Sequence, residues 1–475
     1  MIEYSIQKLL KRNWELFGED PYLYEKIDGS YAAHTHREFI RDVYRFAGYL
    51  QAQGLMHKKV AVFAKNSYAY MVADMAIMGF VGICATLSKS WGLYDVGNAA
   101  GFLELDALLY SADKTDIIAE LKAQYPDIQY IPIEQVYTVG DYPLEEDQIS
   151  VEDCCKIIFS SGTTGMAKAV MLSQKNMFAN WENLYRRVPM NHEDICYLFL
   201  PMYHTYAGIA NCLYSLISGM SIYLCSIPDQ MFAEIQAVKP TIFCAVPLIY
   251  EKLYALCTEN QWDPRTILGG KSKFLFTGGV RLKQEIRRYF KTRGLFLCDA
   301  YGLTETSSLV SVEYPNTTDF DSSGTIFENI DVKIDAPDEN GVGEILVKGE
   351  NITIGYYRNE TLNQKVFDEN GYFRTGDLGY VQHGKIYITG RKKRVIICSN
   401  GENIYPDEIE ELFREYQTIQ RVKVYKKDDM LFASLLVTKD DDVDVIVKTV
   451  NKKLPGFSKI KSYDIQFYQM DTMVK

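Results

Sequence analysis

The stretch Phe159-Ser-Ser-Gly-Thr-Thr-Gly-Met-Ala-Lys-Ala-Val170 is rich in small and hydroxylic residues. It follows a short apolar run, Lys156-Ile-Ile-Phe159, and precedes an amphipathic pattern that predicts a helix beginning near Ser173. Glycines let the backbone turn so that several N–H groups converge on one point, and a concave backbone of this kind binds anions. Hydroxyl groups and Lys168 add further donors. The stretch therefore predicts a polyphosphate-binding loop, with an ordinary polar turn as the alternative.

This loop differs from a Walker A loop. Gly162 and Gly165 are three positions apart, and no Gly-Lys-Ser or Gly-Lys-Thr follows them. A phosphotransferase of the P-loop type, which would release ADP, is therefore disfavoured.

Four further motifs follow the loop along the chain. They are Tyr301-Gly-Leu-Thr-Glu-Thr306, Tyr372-Phe-Arg-Thr-Gly-Asp-Leu-Gly379, Gly390-Arg-Lys-Lys-Arg394 and Ser399-Asn-Gly-Glu-Asn-Ile-Tyr-Pro-Asp-Glu-Ile-Glu410. With the loop, this ordered set resembles the adenylate-forming superfamily, which contains acyl-CoA synthetases, adenylation domains of peptide synthetases and luciferases. The resemblance extends from about residue 10 to the last residue.

Composition limits the class of protein. The chain has 475 residues, 47% hydrophobic and 24% charged, which is typical of a soluble protein with more than one domain. Its net charge of −11 disfavours a nucleic-acid partner, because such partners favour a basic face. Ten cysteines form no C-x-x-C pair, and the N-terminus lacks the pattern of a signal peptide. These features predict a cytoplasmic protein.

Residues 195–228 carry no Asp, Glu, Lys or Arg, a run long enough to suggest a membrane span. Pro201, His204, Gly208 and Gly219 interrupt the run, and several Tyr and Ser residues accompany them. We therefore predict a strand, a polar loop, a buried helix at 208–218 and a second strand, and no transmembrane segment.

The order of the elements predicts an α/β fold. From about residue 57 to 300, short β-rich runs alternate with helical patterns, which implies parallel βαβ sheets. Residues 322–392 read as a small antiparallel β subdomain, and a small α+β unit follows. We predict a large N-terminal AMP-binding domain, 1–393, and a small mobile C-terminal domain, 394–475. Ligand loops in parallel sheets gather at the carboxyl ends of the strands, so we expect one site there.

The resemblance implies which residues contact ATP or AMP. They are Ser161, Gly162, Thr163, Thr164, Gly165, Lys168, Gly278, Gly279, Tyr301, Gly302, Thr304, Asp377 and Arg391. It implies catalytic roles for Lys168, Thr304 and Glu305, and makes Glu305 the carboxylate that binds Mg²⁺. Tyr301 is expected to stack on adenine. The Asp377 carboxylate is expected to accept both ribose hydroxyls, because one carboxylate can take two donors.

Other positions are implied to serve the acid, the thiol and a change of domain orientation. His204, Tyr206 and Gly401 match positions along the acyl and thiol channel, although a satisfied buried histidine is an equal interpretation of His204. Arg394 falls at the hinge between the two domains, where Asp or Lys is usual. Ala167 and Ala169 also depart from the Pro and Gly that the family usually has.

The C-terminus is the largest departure from the family. In relatives, a Gly-Lys motif supplies a lysine that bridges the carboxylate and the α-phosphate. Asp471-Thr-Met-Val-Lys475 aligns with the segment before that motif, so we expect this lysine in a tail absent from the sequence. The alternative is that Lys475 takes the role itself.

These observations predict an AMP-forming acid–thiol ligase that uses ATP, Mg²⁺ and CoA. A carboxylate becomes a competent acyl donor once it is joined to AMP, and a thiol then displaces AMP. The stretch Val238-Lys-Pro-Thr-Ile-Phe-Cys-Ala-Val-Pro-Leu-Ile-Tyr-Glu-Lys-Leu-Tyr254 resembles long-chain acyl-CoA synthetases, which favours a fatty acid. An acyl or aryl acid ligase that loads a carrier protein in trans remains an alternative, as does a non-catalytic acyl- or nucleotide-binding module.

Overall fold

The computed structural model describes residues 4–146, 149–160, 168–279, 282–314, 319–392, 396–397, 403–404, 406–427, 430–438, 442–454 and 459–467. The strands in these ranges are β1 (Pro21–Ile27), β2 (Ser30–Thr35), β3 (Lys58–Phe63), β4 (Gly82–Thr86), β5 (Ala107–Tyr110), β6 (Gln129–Pro132), β7 (Cys154–Ser160), β8 (Lys168–Ser173), β9 (Ile195–Leu198), β10 (Ser221–Leu224), β11 (Ile242–Ala245), β12 (Phe274–Gly278), β13 (Leu297–Tyr301), β14 (Ser311–Val312), β15 (Thr325–Ile326), β16 (Asp331–Asp335), β17 (Gly343–Lys348), β18 (Gly355–Tyr356), β19 (Phe373–Gln382), β20 (Lys385–Arg391), β21 (Ile396–Ile397), β22 (Asn403–Ile404), β23 (Ile419–Lys427), β24 (Met430–Val437) and β25 (Ser462–Phe467).

The α-helices connect these strands and cover the sheets. They are α1 (Ile6–Phe17), α2 (His36–Ala52), α3 (Tyr68–Ala76), α4 (Leu93–Leu103), α5 (Thr115–Gln124), α6 (Gln174–Arg187), α7 (Thr205–Ala207), α8 (Tyr214–Ser218), α9 (Met231–Val238), α10 (Pro247–Asn260), α11 (Pro264–Ile267), α12 (Gln284–Thr292), α13 (Glu360–Val366), α14 (Pro406–Phe413) and α15 (Val443–Lys453). Two π-helical turns, Ile77–Val81 and Gly208–Leu213, extend α3 and join α7 to α8.

The larger sheet has 13 strands, in the order β16-β17-β19-β20-β15-β14-β13-β12-β11-β9-β10-β1-β2. Its central strands, from β13 to β1, pair in parallel, as the alternation of strands and helices predicts. Five of the strands between 322 and 392, β15, β16, β17, β19 and β20, pair antiparallel and extend this sheet at one end. The sixth, β18, belongs to the second sheet. The predicted α/β fold with parallel βαβ units is confirmed.

The second sheet has seven strands, in the order β18-β8-β7-β4-β3-β5-β6. The sequence analysis missed β8, since it passed from the Gly/Ser/Thr loop directly to a helix. Lys168–Ser173 pairs antiparallel with β7, and Ser160 faces Lys168 across the pair. The predicted helix then begins at Gln174, where the Ser173 side chain accepts a hydrogen bond from the Asn176 N–H group. The loop therefore connects two adjacent strands, and residues 161–167 lie outside the described residues.

Burial explains the uncharged run 195–228. Most residues of its helical part, 205–218, are buried in the largest apolar core, and Leu213, Leu216 and Ile217 are at most 1% exposed. A helix surrounded by other elements on all sides carries apolar residues all round. Within the ranges given above, we find no helix with the length and apolar character that crossing a membrane requires.

The C-terminal part contains β21 to β25, α14 and α15, and it has its own apolar core. β23 and β24 pair antiparallel, and β25 joins β24 in parallel. The predicted boundary between residues 393 and 394 falls on residues outside the described ranges. The division of the chain into two domains remains a prediction.

Candidate active site

A cavity of about 570 Å³ opens where several strands of both sheets end. Eight of the residues singled out from the sequence line it: Lys168, Tyr206, Gly278, Gly279, Gly302, Thr304, Glu305 and Arg391. Gly278 and Gly279 lie at the carboxyl end of β12, and Gly302 follows β13 directly. Parallel strands place their carboxyl ends at one edge of a sheet, which is why loops distant in sequence meet here.

A second recess of about 600 Å³ adjoins this cavity, since Gly279, Gly302 and Arg391 line both. Tyr301 and Asp377 lie in its wall. The two strands that carry them, β13 and β19, belong to the same sheet.

Asp377 is the centre of a buried polar group in this wall. It is 2% exposed, and its Oδ2 atom accepts a hydrogen bond of 2.8 Å from the Tyr301 hydroxyl. Its Oδ1 atom lies 2.6 Å from Nε of Arg391. Burial raises the pKa of Asp377 above its ordinary value, although the Arg391 guanidinium and the Tyr301 hydroxyl oppose the shift. The site thus holds a carboxylate with a fixed orientation and a positive charge beside it.

Tyr301 itself stays protonated. Burial, followed by the charge of Asp377, raises the pKa of its hydroxyl well above the ordinary value. The hydroxyl is therefore a permanent donor to Asp377, a contact that the sequence analysis did not anticipate.

Gly302 permits a close backbone approach that shapes the turn after β13. A Cβ atom at this position would lie 1.9 Å from the carbonyl oxygen of Ser308 and 2.7 Å from Cα of Leu309. Only glycine fits there. The tight turn brings Thr304 and Glu305 to the cavity.

Glu305, Tyr356 and Lys168 line the cavity and contact one another through Tyr356. Glu305 is 9% exposed, and its Oε1 atom accepts a hydrogen bond of 2.7 Å from the Tyr356 hydroxyl. The Lys168 ammonium lies over the Tyr356 ring, 4.8 Å from its centroid. Ser161, Gly162, Thr163, Thr164 and Gly165 lie outside the described residues, so only the flanking positions of the predicted phosphate loop are placed.

The predicted channel residues are placed differently from one another. Tyr206 lines the cavity, and its hydroxyl donates to the carbonyl oxygen of Phe276. His204 is exposed beside Tyr203, with ring centroids 4.4 Å apart, and it is not among the described residues of the cavity wall. Gly401, Arg394 and Lys475 lie outside the described residues.

Sequence reasoning missed two residues of the site. Tyr356 comes from the short strand β18, which has no apolar pattern that predicts it. Asp299 is 3% exposed in the recess wall, within β13, two residues before Tyr301. An acidic residue in a buried strand is a signal that could have identified Asp299.

Comparison with known proteins agrees with this geometry. The family model described as AMP-binding enzyme matches residues 10–357. The chain belongs to the AMP-binding enzyme family. The resemblance to adenylate-forming enzymes is thereby confirmed, and the chain is an enzyme of this family.

Relatives include acid–CoA ligases of more than one kind. Fatty acyl-CoA synthetase A of Dictyostelium discoideum is 24% identical over 84% of this chain and 70% of its own length. A 2-succinylbenzoate–CoA ligase of Bacillus cereus is 28% identical over 78% of this chain and 76% of its own length. The solved structure of O-succinylbenzoate coenzyme A synthetase (MenE) of Bacillus subtilis with AMP superposes with a TM-score of 0.84 at 21% identity. It covers 96% of this chain and 94% of that one. At this identity, the superposition shows a shared fold.

Proposed function

We propose that the protein activates a carboxylic acid with ATP and transfers the acyl group to CoA. A carboxylate oxygen attacks the α-phosphorus, the bond to the bridging oxygen breaks, and pyrophosphate leaves. The thiol sulfur then forms a bond to the acyl carbon, AMP leaves, and the thiol proton passes to solvent. Family membership and the CoA ligases among the relatives support this reaction.

One observation supports placing the reaction at this site. The ion-paired Asp377 carboxylate lines the recess, and Lys168 and Glu305 line the adjoining cavity. Asp377 accepts the two ribose hydroxyls, and Arg391 holds the carboxylate in place. Tyr301 and the Gly278-Gly279 turn flank adenine, and the Asp299 carboxylate offers an acceptor for its exocyclic amine. Thr304 lies in the turn that faces the α-phosphate.

Lys168 neutralises the β- and γ-phosphates with the loop 161–165. A fixed cation where negative charge develops lowers the barrier, because the protein has no reorganisation to perform at the moment of reaction. Lys168 and Glu305 therefore act on the pyrophosphate leaving group, whereas Thr304 acts on the α-phosphate.

Glu305 fits a nucleotide-bound Mg²⁺. Its Oε1 atom accepts from Tyr356, whereas no described residue hydrogen-bonds or ion-pairs with Oε2. No group of three or more His, Cys, Asp or Glu among the described residues could hold a metal alone. Mg²⁺ commonly takes one or two carboxylates together with substrate phosphates and water, so one carboxylate suffices. When bound, the ion neutralises the departing pyrophosphate.

A fatty acid is the acid we propose, with the cytoplasm as the compartment. The resemblance of 238–254 to long-chain acyl-CoA synthetases and the fatty acyl-CoA synthetase among the relatives support the acid. The nine described cysteines are free thiols, which fits a reducing compartment. The 2-succinylbenzoate ligase among the relatives keeps an aryl acid as a second candidate.

Trapping the acyl-adenylate tests the proposal. The protein is incubated with Mg-ATP, hydroxylamine and a pool of short-chain, long-chain and aryl acids, and hydroxamates are identified by mass spectrometry. We expect a fatty hydroxamate with release of AMP and pyrophosphate. Lys168→Met should reduce the yield at least 10-fold, since one preorganised charged donor at a reacting group commonly supplies that much. Lys252→Met, on the exposed face of α10, is the matched control.

Each alternative has its own outcome in this experiment. An aryl hydroxamate would change the acid but keep the reaction. Release of ADP would indicate a phosphotransferase. A synthetic acyl-adenylate supplied with CoA, or with a carrier protein, then identifies the thiol. If no hydroxamate forms and neither thiol is acylated, the protein is a binding module and the proposal is wrong.

A further inference from the structure

Tyr356 connects the two charged groups on the polyphosphate side of the cavity. Its hydroxyl donates to Oε1 of Glu305 at 2.7 Å, and its ring lies under the Lys168 ammonium at 4.8 Å. Tyr356 is 2% exposed. One buried side chain therefore contacts both a carboxylate and a cation that face the cavity.

Backbone pairing fixes Tyr356 relative to the end of the phosphate loop. β18 pairs antiparallel with β8, and Tyr356 faces Val170 across the pair. The N–H groups of Ile354 and Tyr357 donate to the carbonyl oxygens of Met171 and Ala169. Lys168 begins the same strand, so the distance between its Cα atom and the Tyr356 ring is set by sheet geometry.

The segment before Tyr356 is tied equally firmly to the turn that carries Glu305. The N–H group of Thr353 donates to the Glu305 carbonyl oxygen at 2.7 Å. Nδ2 of Asn351 donates to the carbonyl oxygens of Thr306 and Leu309, at 3.1 and 3.0 Å. Residues 351–357 thus join the Thr304-Glu305 turn to β8 by hydrogen bonds on both sides.

The Tyr356 hydroxyl can act only as a donor to this carboxylate. An ionised carboxylate has only acceptor oxygens, so the hydroxyl is the donor in the contact of 2.7 Å. Oε1 of Glu305 is therefore occupied by this hydrogen bond. Among the described residues, Oε2 has no such partner and is the oxygen left for a cation.

We propose that Tyr356 is a positioning residue: its hydroxyl directs Oε2 of Glu305 toward the Mg²⁺ of the nucleotide, and its ring holds Lys168 toward the phosphates. The inference rests on the proposed function of this site. Hydrogen-bonding partners of metal ligands commonly change metal affinity 10- to 100-fold when they are removed. A cation held over an aromatic ring at a partly exposed site has a smaller effect, about 5-fold in an equilibrium constant.

Two substitutions separate the two contacts. Tyr356→Phe removes the hydroxyl and keeps the ring, whereas Tyr356→Leu removes both. The neighbouring Tyr357→Phe is the matched control, because the Tyr357 hydroxyl lies 3.4 Å from the Lys59 ammonium and does not face the cavity. Thermal unfolding of each variant establishes that it is folded.

The readout is nucleotide binding with and without a metal ion, measured by calorimetry with α,β-methylene-ATP and Mn²⁺. The dissociation constant without metal divided by that with Mn²⁺ gives the contribution of the metal to binding. We expect Tyr356→Phe to reduce this ratio about 10-fold and to leave binding without metal unchanged. Tyr356→Leu should also weaken binding of α,β-methylene-ATP without metal, about 5-fold. Tyr357→Phe should match the wild type.

Glu305→Gln distinguishes failure of the inference from failure of the proposed site. If Glu305→Gln abolishes the metal contribution while Tyr356→Phe retains it, the positioning role is wrong and the metal site stands. If Glu305→Gln keeps the wild-type ratio, the metal role of Glu305 is wrong and the inference is overturned with it. The hydroxamate experiment tests the overall reaction separately, because it needs no assumption about Tyr356.

Discussion

Asp377 shows at the scale of one residue how burial sets the pH dependence of nucleotide binding. Burial raises the pKa of its carboxyl, and ribose recognition needs the ionised form, which accepts two hydroxyl protons. ATP affinity should therefore fall as the pH decreases through a pKa above that of an ordinary aspartate. Asp377→Asn should weaken ATP binding about 10- to 100-fold at neutral pH, as expected for lost hydrogen bonds to a charged acceptor, and remove this pH dependence.

Calorimetric titration with ATP between pH 4.5 and pH 8 measures both effects. A nucleotide without ribose hydroxyls, 2′,3′-dideoxy-ATP, is the control, because it should bind the wild type and Asp377→Asn with similar affinity. An equal loss of affinity for both nucleotides would show that Asp377 does not act through the ribose hydroxyls.

Gly302 is the second residue whose type is dictated by its surroundings. In Gly302→Ala the new methyl group would meet backbone atoms of Ser308 and Leu309, which cannot move aside by a rotamer change. We expect a loss of about 1–3 kcal/mol in the free energy of unfolding, as for an overpacked site, and a larger loss of hydroxamate formation as the Thr304-Glu305 turn shifts. Gly92→Ala is the control, because a Cβ atom there meets nothing within 4 Å. If Gly302→Ala kept wild-type activity, the claim that only glycine fits at this turn would be wrong.

At the scale of an element, β7 carries a lysine in the middle of a buried strand. Lys156 is 0% exposed, and its ammonium lies 2.5 Å from Oδ1 of Asp74 on α3. Burial alone would lower the pKa of Lys156, but the Asp74 carboxylate raises it overall. Its pairing energy is therefore present below the ordinary lysine pKa and is lost as the pH rises through the higher folded value.

Asp74→Ala should destabilise the protein by about 3–5 kcal/mol, because it leaves a buried ammonium without its partner. The double variant Asp74→Leu with Lys156→Met should recover most of this loss, since apolar residues of similar size often replace a buried ion pair without cost. Urea unfolding at neutral pH compares the free energies of unfolding. If the double variant were as unstable as Asp74→Ala, the ion pair would stabilise the fold by more than the mutual neutralisation of its two charges, and the expected recovery would be wrong.

At the scale of the whole molecule, α14 lies against the end of β20. The Asp407 carboxylate, in the first turn of α14, accepts a hydrogen bond of 3.0 Å from the Arg391 N–H group. Before the proposed hinge at Arg394, Lys392 pairs with Glu344 of β17 at 2.7 Å, within the predicted large domain. The Asp407 contact crosses the hinge and holds α14 in one orientation against β20.

If 394–475 rotates between the two half-reactions, this orientation serves one of them. Asp407→Ala should then change the ratio of the two rates about 10-fold, since one charged hydrogen bond is worth about 1.5–3 kcal/mol. Hydroxamate formation measures the first half-reaction, and thioester formation from a synthetic acyl-adenylate and CoA measures the second. Lys427→Ala, an exposed cation in the C-terminal part, is the control. Equal changes in both rates would contradict a role in domain orientation.

The sequence by itself determined the family and the main alternation of strands and helices. Five motifs in one order indicate the family and predict the site, and the strand–helix alternation predicts the parallel sheets, because both signals are read from neighbouring residues. Loops that follow parallel strands must meet at one edge, so Lys168, Gly278 and Glu305 were expected together and line one cavity.

Only the tertiary structure decided which side chains contact one another. The hydrogen bond from Tyr301 to Asp377 and that from Tyr356 to Glu305 each join residues more than 50 positions apart, and no local pattern encodes such contacts. β18 was likewise missed because its pairing partner, β8, comes from a distant part of the chain. β8 was missed although it pairs with its neighbour β7, because 168–173 was assigned to the loop before the helix. The exposed position of His204 follows from the same cause, since burial depends on what packs against a residue rather than on its own type.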